Sequence, residues 1–238
     1  MITSAAPPTR TVPVALSAEA LLHQWARQSA APAGAAVVAD SEIAARKRGG
    51  VEWRTPQAVA VSVLARPESL DPDAVDAGWA AVSLAAAQAL DDCEEDAERA
   101  AKRVCLWPDE VQREPPDGRE TAPGFVCTLG PGRVESAALT VRVGPLASAV
   151  ERRRVTAALL RHLREQAEGL NEPGPLIDAY RERCATLGRS VELRMLPHGT
   201  MRGLAEDVDD KGRLVLKSPT GLTERIMVAS LNEVRLLP

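Results

Sequence analysis

Hydrophobic and polar residues follow two periodic patterns, one typical of strands and one typical of helices, along the first 186 positions of the chain. Val59, Val61 and Val63 are separated by single smaller residues, a spacing typical of a strand. Elsewhere apolar residues recur every three or four positions, which predicts amphipathic helices, and Ser17 is the predicted N-cap of the first. The predicted helices cover residues 18–30, 75–90, 151–170 and 176–188, and the predicted strands cover residues 35–40, 58–66, 103–107, 125–129 and 135–144. The polar, Pro-rich stretch 108–124 is predicted to be a loop.

The pattern changes at Arg189, where five short strands follow one another and are joined by turns such as "DDKG" at 209–212. Short antiparallel strands after a series of helices and longer strands predict a separate small β-barrel. We therefore expect an α/β (α+β) fold, with a mixed sheet flanked by helices over residues 12–186 and an SH3-like barrel over residues 187–238. Residues 1–11, which are rich in Ala and Pro, are predicted to be a flexible tail.

Composition and charge argue against several functions. The net charge of -4 is not that of a general nucleic-acid-binding protein. No run approaches the ~18 apolar residues of a membrane span, and the N-terminus lacks the basic start and apolar core of a signal peptide. The four cysteines lack the paired spacing of a metal site, so we expect no bound metal and a reducing, cytoplasmic location.

The segment "ARKRGGVEW" at 45–53 carries three consecutive basic residues and two glycines. It resembles the ligand loop of biotin protein ligases, members of the biotin/lipoate ligase superfamily, whose pattern is Gly-Arg-Gly-Arg-x-Gly-x-x-Trp. The register fits without a gap. Arg46, Arg48, Gly50 and Trp53 match this pattern, while Ala45 and Lys47 stand at its first two glycines.

Further along the chain, "VCLWPDEV" at 104–111 resembles the same family's Lys-Trp-Pro-Asn-Asp segment. Trp107 and Pro108 match, whereas Leu106 stands at the lysine and Asp109 at the asparagine. "DGRETAPGFV" at 117–126 resembles the family's Gly-Arg-Lys segment, with Glu120 at the lysine. The stretches "YRERCATLGRSVEL" and "GLAEDVDDKGRLVL" are similar to the family's C-terminal domain.

The resemblance implies a two-step ligation. Biotin and ATP first form biotinyl-adenylate, and a lysine of a carrier protein then takes the acyl group. ATP and Mg²⁺ are the cofactors that such a ligase would use, and the arginine loop is expected to close over the adenylate. The ligand-binding residues that the resemblance implies are Arg46, Lys47, Arg48, Gly50, Trp53, Trp107 and Asp109.

The departures from the family's motifs fall on positions that handle the nucleotide. Leu106 carries no charge, and the loss of one preorganised donor of this kind typically costs ~10²–10³ in rate. Glu120 repels phosphate where a lysine would attract it, and an ionised Asp109 cannot donate a hydrogen bond. The catalytic residues are therefore left unassigned, and the chain is interpreted as a divergent member with a degenerate catalytic site.

Three hypotheses are compatible with these residues. The first is a pseudoenzyme, a module that binds a small carboxylic acid, a carrier-like protein or a second copy of itself. The second is a ligase that forms an acyl-adenylate from an acid other than biotin and transfers it to an amine, with Lys47 supplying part of the missing charge. The third is authentic biotin ligation, and the departures at Leu106, Asp109 and Glu120 speak against it.

Overall fold

The computed structural model describes residues 6–29, 31–94, 102–114 and 116–237, which form a larger domain around one sheet and a smaller C-terminal domain. The strands of the larger domain are β1 (Thr9–Val12), β2 (Ala36–Ala39), β3 (Val59–Ala65), β4 (Val104–Leu106), β5 (Glu110–Gln112), β6 (Glu120–Gly130) and β7 (Arg133–Gly144). Its helices are α1 (Ala18–Ser29), α2 (Ala77–Asp91), α3 (Ala149–Gly169) and α4 (Pro173–Arg181). The smaller domain contains β8 (Ser190–Met195), β9 (Thr200–Val208), β10 (Leu214–Lys217), β11 (Thr223–Ile226) and β12 (Leu231–Leu236).

Five strands form the sheet of the larger domain, in the order β1-β2-β3-β7-β6. β1 pairs in parallel with β2, and the other neighbouring strands are antiparallel. Helix α1 packs on one face of this sheet, and α2 and α3 pack on the other. Strands β4 and β5 pair with each other beside it. The mixed sheet flanked by helices that the sequence predicts is thus confirmed.

Helix α2 lies inside the larger domain, because nearly all of its side chains are small or apolar and are buried. A helix that is apolar on every side has to be surrounded, and α2 contacts α3, α4 and β6. A Cβ at Gly78 would lie 2.2–2.5 Å from ring atoms of Phe125. The contact between α2 and β6 therefore requires glycine at position 78.

Hydroxyl groups cap two of the helices. The Oγ of Ser17 accepts a hydrogen bond from the backbone N–H of Ala20 at 3.3 Å, which confirms the predicted cap of α1. The Oγ of Ser148 accepts from the backbone N–H of Glu151 at 3.1 Å at the start of α3. Of the helices in the described ranges, none is long and apolar enough to cross a membrane.

The smaller domain is one antiparallel sheet in the order β11-β10-β9-β8-β12, and its five strands are those that the sequence predicts. It contacts the larger domain through the β9–β10 turn, where Trp107 Nε1 donates to the carbonyl of Gly212 at 3.1 Å. Gly212 has φ +85°, and a Cβ there would lie 2.4–2.6 Å from backbone atoms of Asp76 and Ala77. Both the turn and the close approach of the two domains therefore require this glycine.

The folded part of the chain begins at Thr9, inside the predicted tail, instead of at residue 12. Backbone pairing with β2 explains the difference, because β1 has mostly exposed side chains and so carries no hydrophobic signal. Residues 1–5 of that tail lie outside the described part of the chain. The boundary between residues 186 and 187 stays a prediction.

Two other segments differ from the sequence-based expectation. The stretch 108–124, predicted to be a loop, contains β5 and the first half of β6. Pro123 is tolerated there because β6 is an edge strand, where one side of the backbone needs no strand partner. The last predicted helix ends at Arg181 rather than at residue 188. The backbone leaves the helical path there, because Cys184 forms an isolated β-bridge with the backbone of Cys105.

The carboxyl of Asp76 couples the two domains and generates a prediction about stability. Its Oδ2 accepts from the backbone N–H of Val228 at 2.9 Å, and burial raises the pKa of Asp76 from 3.8 to about 6. The folded protein thus binds this proton more tightly than the unfolded chain does. The contribution of Asp76 to stability should therefore fall as pH rises from about 4 to about 6.

Asp76→Asn keeps an oxygen acceptor for Val228 and removes the buried charge. We expect it to raise the free energy of unfolding at pH 7.5 by about 1–3 kcal/mol, and to change it little at pH 4. Urea unfolding of both proteins at the two pH values measures the effect. Asp73→Asn, an exposed neighbour, is the matched control. Equal destabilisation of Asp76→Asn at both pH values would contradict the prediction.

Candidate functional site

Two cavities lie on either side of the segment 45–53. The first, the Trp53 cavity, has a volume of about 360 Å³ and is lined by the ends of β2 and β3 together with residues 40–45 and 53–58. The second, the interdomain cleft, has a volume of about 430 Å³ and lies between residues 106–112, the start of β6 and strand β12. Six of the nine predicted site residues line the cleft, namely Lys47, Arg48, Leu106, Trp107, Asp109 and Glu120.

The segment 45–53 is a tight turn closed by its own backbone. Lys47 N–H donates to the Val51 carbonyl at 2.7 Å, and Trp53 N–H donates to the Ala45 carbonyl at 3.0 Å. Gly50 has φ +76°, a conformation that favours glycine, so this predicted ligand residue has a role in the turn itself. The Trp53 side chain is buried against Ala45 and anchors the end of the turn.

The three cations of this turn have different surroundings. Arg46 Nη1 donates to the Gly50 carbonyl at 2.7 Å on the exposed side of the turn, away from the cleft. Lys47 is exposed and lines the cleft. Arg48 is 14% exposed, and its Nε donates to Asp109 Oδ1 at 3.1 Å. The structure therefore brings only two of the three predicted cations to the cleft.

Arg48 also reaches the smaller domain. Its Nη1 donates to the carbonyls of Leu231 at 2.8 Å and Asn232 at 3.3 Å, at the start of β12. The guanidinium thus joins the turn 45–53, the segment after β4 and strand β12. The Nε and Nη1 donors of Arg48 thus have a carboxylate and two carbonyls as partners before any ligand arrives, which uses three of the five N–H donors of the guanidinium.

Trp107 is held by two hydrogen bonds that leave neither of its N–H groups for a ligand. Its backbone N–H donates to Thr186 Oγ1 at 2.9 Å, and its indole donates to Gly212 as described above. The side chain is 3% exposed, so it contributes packing at the base of the cleft. Leu106, at the end of β4, is half-buried and presents an apolar side chain to the cleft.

Four carboxylates line the cleft, namely Asp109, Glu110, Glu120 and Glu233. Burial raises the pKa of Asp109, and the neighbouring Arg48 acts in the opposite direction, which marks Asp109 as a poorly solvated carboxylate. Glu120 Oε2 accepts from Thr55 Oγ1 at 2.9 Å at the rim. These four carboxylates offset the charges of the three cations that line the cleft, Lys47, Arg48 and Arg119, so the cleft is not the strongly cationic site that phosphate groups require.

A buried ion pair beside the Trp53 cavity has no counterpart among the predicted site residues. Arg142 is fully buried on β7, and its Nε donates to Glu42 Oε2 at 2.6 Å. Its Nη2 lies 3.3 Å from Glu42 Oε1 and 3.5 Å from Glu19 Oε2. The strand neighbours of Arg142 are Ala60 and Ala122, whose small side chains leave room for the guanidinium.

Glu42 has a second function in the same place. Its Oε1 accepts from the backbone N–H of Ala18 at 2.6 Å, so it satisfies a free donor in the first turn of α1. The signal for this pair in the sequence is Arg142 itself, a charged residue inside an otherwise apolar strand. Such a residue needs a buried counter-charge, but the sequence does not show that Glu42 provides it.

Metal binding finds no support in the part of the chain that the structure describes. No group of three or more His, Cys, Asp or Glu side chains there is placed to hold a metal ion. The cysteines Cys93, Cys105, Cys127 and Cys184 are free thiols. Burial raises the pKa of Cys105 far above its ordinary value, so this thiol is unreactive.

Comparisons with known proteins agree with the resemblance in the sequence. Residues 186–230 match the family model of the biotin protein ligase C terminal domain. The biotin protein ligase of Aquifex aeolicus in complex with biotin and ATP superposes with a TM-score of 0.70 at 15% identity, covering 97% of this chain and 99% of that one. No curated protein sequence is similar enough to serve as a relative.

Two further structures are similar over most of their length. A biotin protein ligase-like protein of unknown function from Silicibacter sp. TM1040 has a TM-score of 0.67 at 11% identity, covering 93% of this chain and 94% of that one. The biotin acetyl coenzyme A carboxylase synthetase of Helicobacter pylori with bound biotinylated ATP has a TM-score of 0.60 at 13% identity, covering 92% and 99%. The chain therefore has the biotin protein ligase fold with its SH3-like C-terminal domain.

Arg142→Met tests the buried ion pair. This change leaves Glu42 buried without its counter-charge, so we expect a loss of about 3–5 kcal/mol in the free energy of unfolding. Adding Glu42→Gln should recover much of the loss, since the amide oxygen still accepts from Ala18. Urea unfolding followed by circular dichroism measures both variants. Arg194→Met, at an exposed pair with Glu233, is the control and should cost under about 1 kcal/mol; equal losses at the two sites would refute the prediction.

Leu106→Lys combined with Glu120→Lys tests the charge of the interdomain cleft. The double variant places two cations beside Lys47, so we expect ATP affinity to rise by roughly tenfold or more, with about 1 kcal/mol from each charge. Turnover should not return, because Asp109 and the non-glycine turn residues remain. Isothermal titration calorimetry measures the affinity. Leu222→Lys with Glu224→Lys adds the same charge outside the cleft, and an equal gain in that control would show a general effect of net charge.

Proposed function

We propose that the protein is a binding protein built on the biotin protein ligase fold, a pseudoenzyme that does not form an acyl-adenylate. One observation carries this proposal. Arg48, a cation that the resemblance assigns to the ligand, is bound by Asp109 and by the carbonyls of Leu231 and Asn232. Because the Asp109 carboxylate offsets the charge of Arg48, and because Nε and Nη1 are already engaged, this cation offers little stabilisation to a developing anion.

The residues of the interdomain cleft do not fit a triphosphate. Leu106 brings an apolar side chain to the end of β4, where the resemblance places a lysine. Glu120 brings a carboxylate to the rim, and Asp109 brings a second one to the interior. Each carboxylate raises the free energy of a nearby phosphate by like-charge repulsion. ATP and Mg²⁺ therefore have no part in the proposed function.

The ligand proposed for the cleft is a small carboxylic acid. This acid is either free or presented by a carrier-like partner protein. Lys47 lines the cleft and supplies a cation for a single carboxylate, while Val51, Leu106 and Val234 provide apolar contacts. We further propose that the protein acts in the cytoplasm, that its partner in self-association is a second copy in a homodimer, and that it binds neither nucleic acid nor a membrane.

A second candidate function is a ligase for an acid other than biotin. It is favoured by Arg119, which matches the arginine of the family's Gly-Arg-Lys segment and lines the cleft together with Lys47. Arg119 Nη2 is 2.6 Å from Glu151 Oε1, so its charge is partly offset. The charges of Lys47 and Arg119 are opposed by those of Asp109 and Glu120, so a ligase is less well supported than a binding protein. Authentic biotin ligation is supported less than either.

The purified protein, mixed with ATP, Mg²⁺ and biotin, is expected to release no pyrophosphate above background and to form no biotinyl-adenylate. The Aquifex aeolicus ligase, assayed in parallel, is the positive control. Pyrophosphate release can be followed with a coupled colour assay, and calorimetry with biotin, octanoate and ATP reports binding. Robust release with biotin would overturn the proposal, whereas release only with octanoate or another acid would favour the second candidate.

A further inference from the structure

The carboxylate of Asp109 binds the guanidinium of Arg48 in the same way as an anionic ligand would. Its carboxylate lies 3.1 Å from Arg48 Nε, and both side chains are only 14% exposed. A charged hydrogen bond in a poorly solvated place is stronger than one at the surface, because water competes less for either partner. The cleft therefore contains an anion site that is already filled by the protein's own side chain.

The Arg48–Asp109 pair also lies where the two domains meet. Arg48 lies in the short 3-10 turn Arg48–Gly50, and the Arg48 guanidinium reaches Leu231 and Asn232 on β12 as well as Asp109. These contacts connect the turn 45–53 to both domains. A ligand that takes Arg48 away from Asp109 would have to leave that carboxylate buried and unpaired, which is strongly unfavourable.

We propose that Asp109 determines the specificity of the interdomain cleft, because it fills the anion site of Arg48 and thereby closes the cleft to polyphosphates. A singly charged carboxylate can still bind at Lys47. Repulsion by Asp109 and Glu120 grows with the number of negative charges on a ligand, so it excludes nucleotides and pyrophosphate more strongly than a monocarboxylate. This inference rests on the proposed function, since it specifies which acids the binding protein accepts.

Asp109→Asn tests the proposal with inorganic pyrophosphate as the probe. The amide has nearly the same shape and its oxygen accepts from Arg48, but a neutral acceptor is released more easily than a carboxylate. We expect pyrophosphate to bind the variant at least about tenfold more tightly than it binds the wild type, in calorimetry at fixed ionic strength. Adding Arg48→Ala to Asp109→Asn should remove this gain.

Glu110→Gln is the matched control, because it removes the same charge one residue away. Glu110 lies at the exposed end of the cleft, and its Oε2 accepts from Gln112. If Glu110→Gln improves pyrophosphate binding as much as Asp109→Asn does, the effect is one of net charge and the proposal is wrong. Tight pyrophosphate binding by the wild type would also overturn it.

Trypsin provides a second measurement, because Arg46, Lys47 and Arg48 are cleavage sites in the turn. Asp109→Asn should be cut there faster than the wild type, and pyrophosphate should slow the cutting of the variant alone. Equal rates in both proteins would refute the role of Asp109 in holding the turn. Circular dichroism confirms that the variant is folded, and Asp109→Ser is the substitute if it is not.

The outcomes separate this proposal from the proposed function. Wild-type protein that forms an acyl-adenylate with biotin overturns the binding protein, whatever Asp109→Asn does to pyrophosphate affinity. A wild type without adenylation, together with an Asp109→Asn variant that gains no affinity, leaves the binding protein standing and overturns the specificity role of Asp109. Gain of pyrophosphate binding without adenylation supports both.

Discussion

The contact of Trp107 with the β9–β10 turn is the interaction on which the arrangement of the site depends. The indole donates to the carbonyl of Gly212, and the backbone N–H of Trp107 donates to Thr186 in the segment that leads to the smaller domain. Gly212 lies so close to the start of α2 that no side chain fits between them. One buried tryptophan therefore fixes the distance between the two domains, and with it the width of the interdomain cleft.

Arg48 depends on that distance. Two of its partners, the carbonyls of Leu231 and Asn232, belong to the smaller domain, whereas Asp109 follows Trp107 by two positions in the larger one. A shift of the smaller domain by more than a hydrogen-bond length would break two of these three contacts. The turn 45–53 is closed by its own backbone, but the contacts of Arg48 with Leu231 and Asn232 require the smaller domain to be in place.

The sequence predicts the elements that carry this site better than the contacts between their side chains. The five C-terminal strands, the mixed sheet and the turn carrying Arg48 follow from periodicity and motif spacing, because those signals are local. Arg48 and Asp109 are 61 residues apart, and Arg142 and Glu42 are 100 residues apart. Which charges meet depends on strand order, and a single sequence does not encode that in any local pattern. The start of β1 at Thr9 and the whole of β5 were missed for a related reason, since their pairing is supplied by the backbone.

The pairing of Arg48 with Asp109 also bears on the stability of the fold. The core is made of Ala, Val and Leu side chains from α2, β3 and β7, and none of the cleft residues apart from Trp107 belongs to it. Several cations held near one another without partners repel, which opposes folding until a ligand neutralises them. Here Leu106 presents an apolar side chain where the resemblance implies a lysine, and Asp109 forms an ion pair with Arg48. Both arrangements reduce repulsion between like charges in the folded state. Under the proposed function, in which no adenylate forms, the cleft does not require further cations.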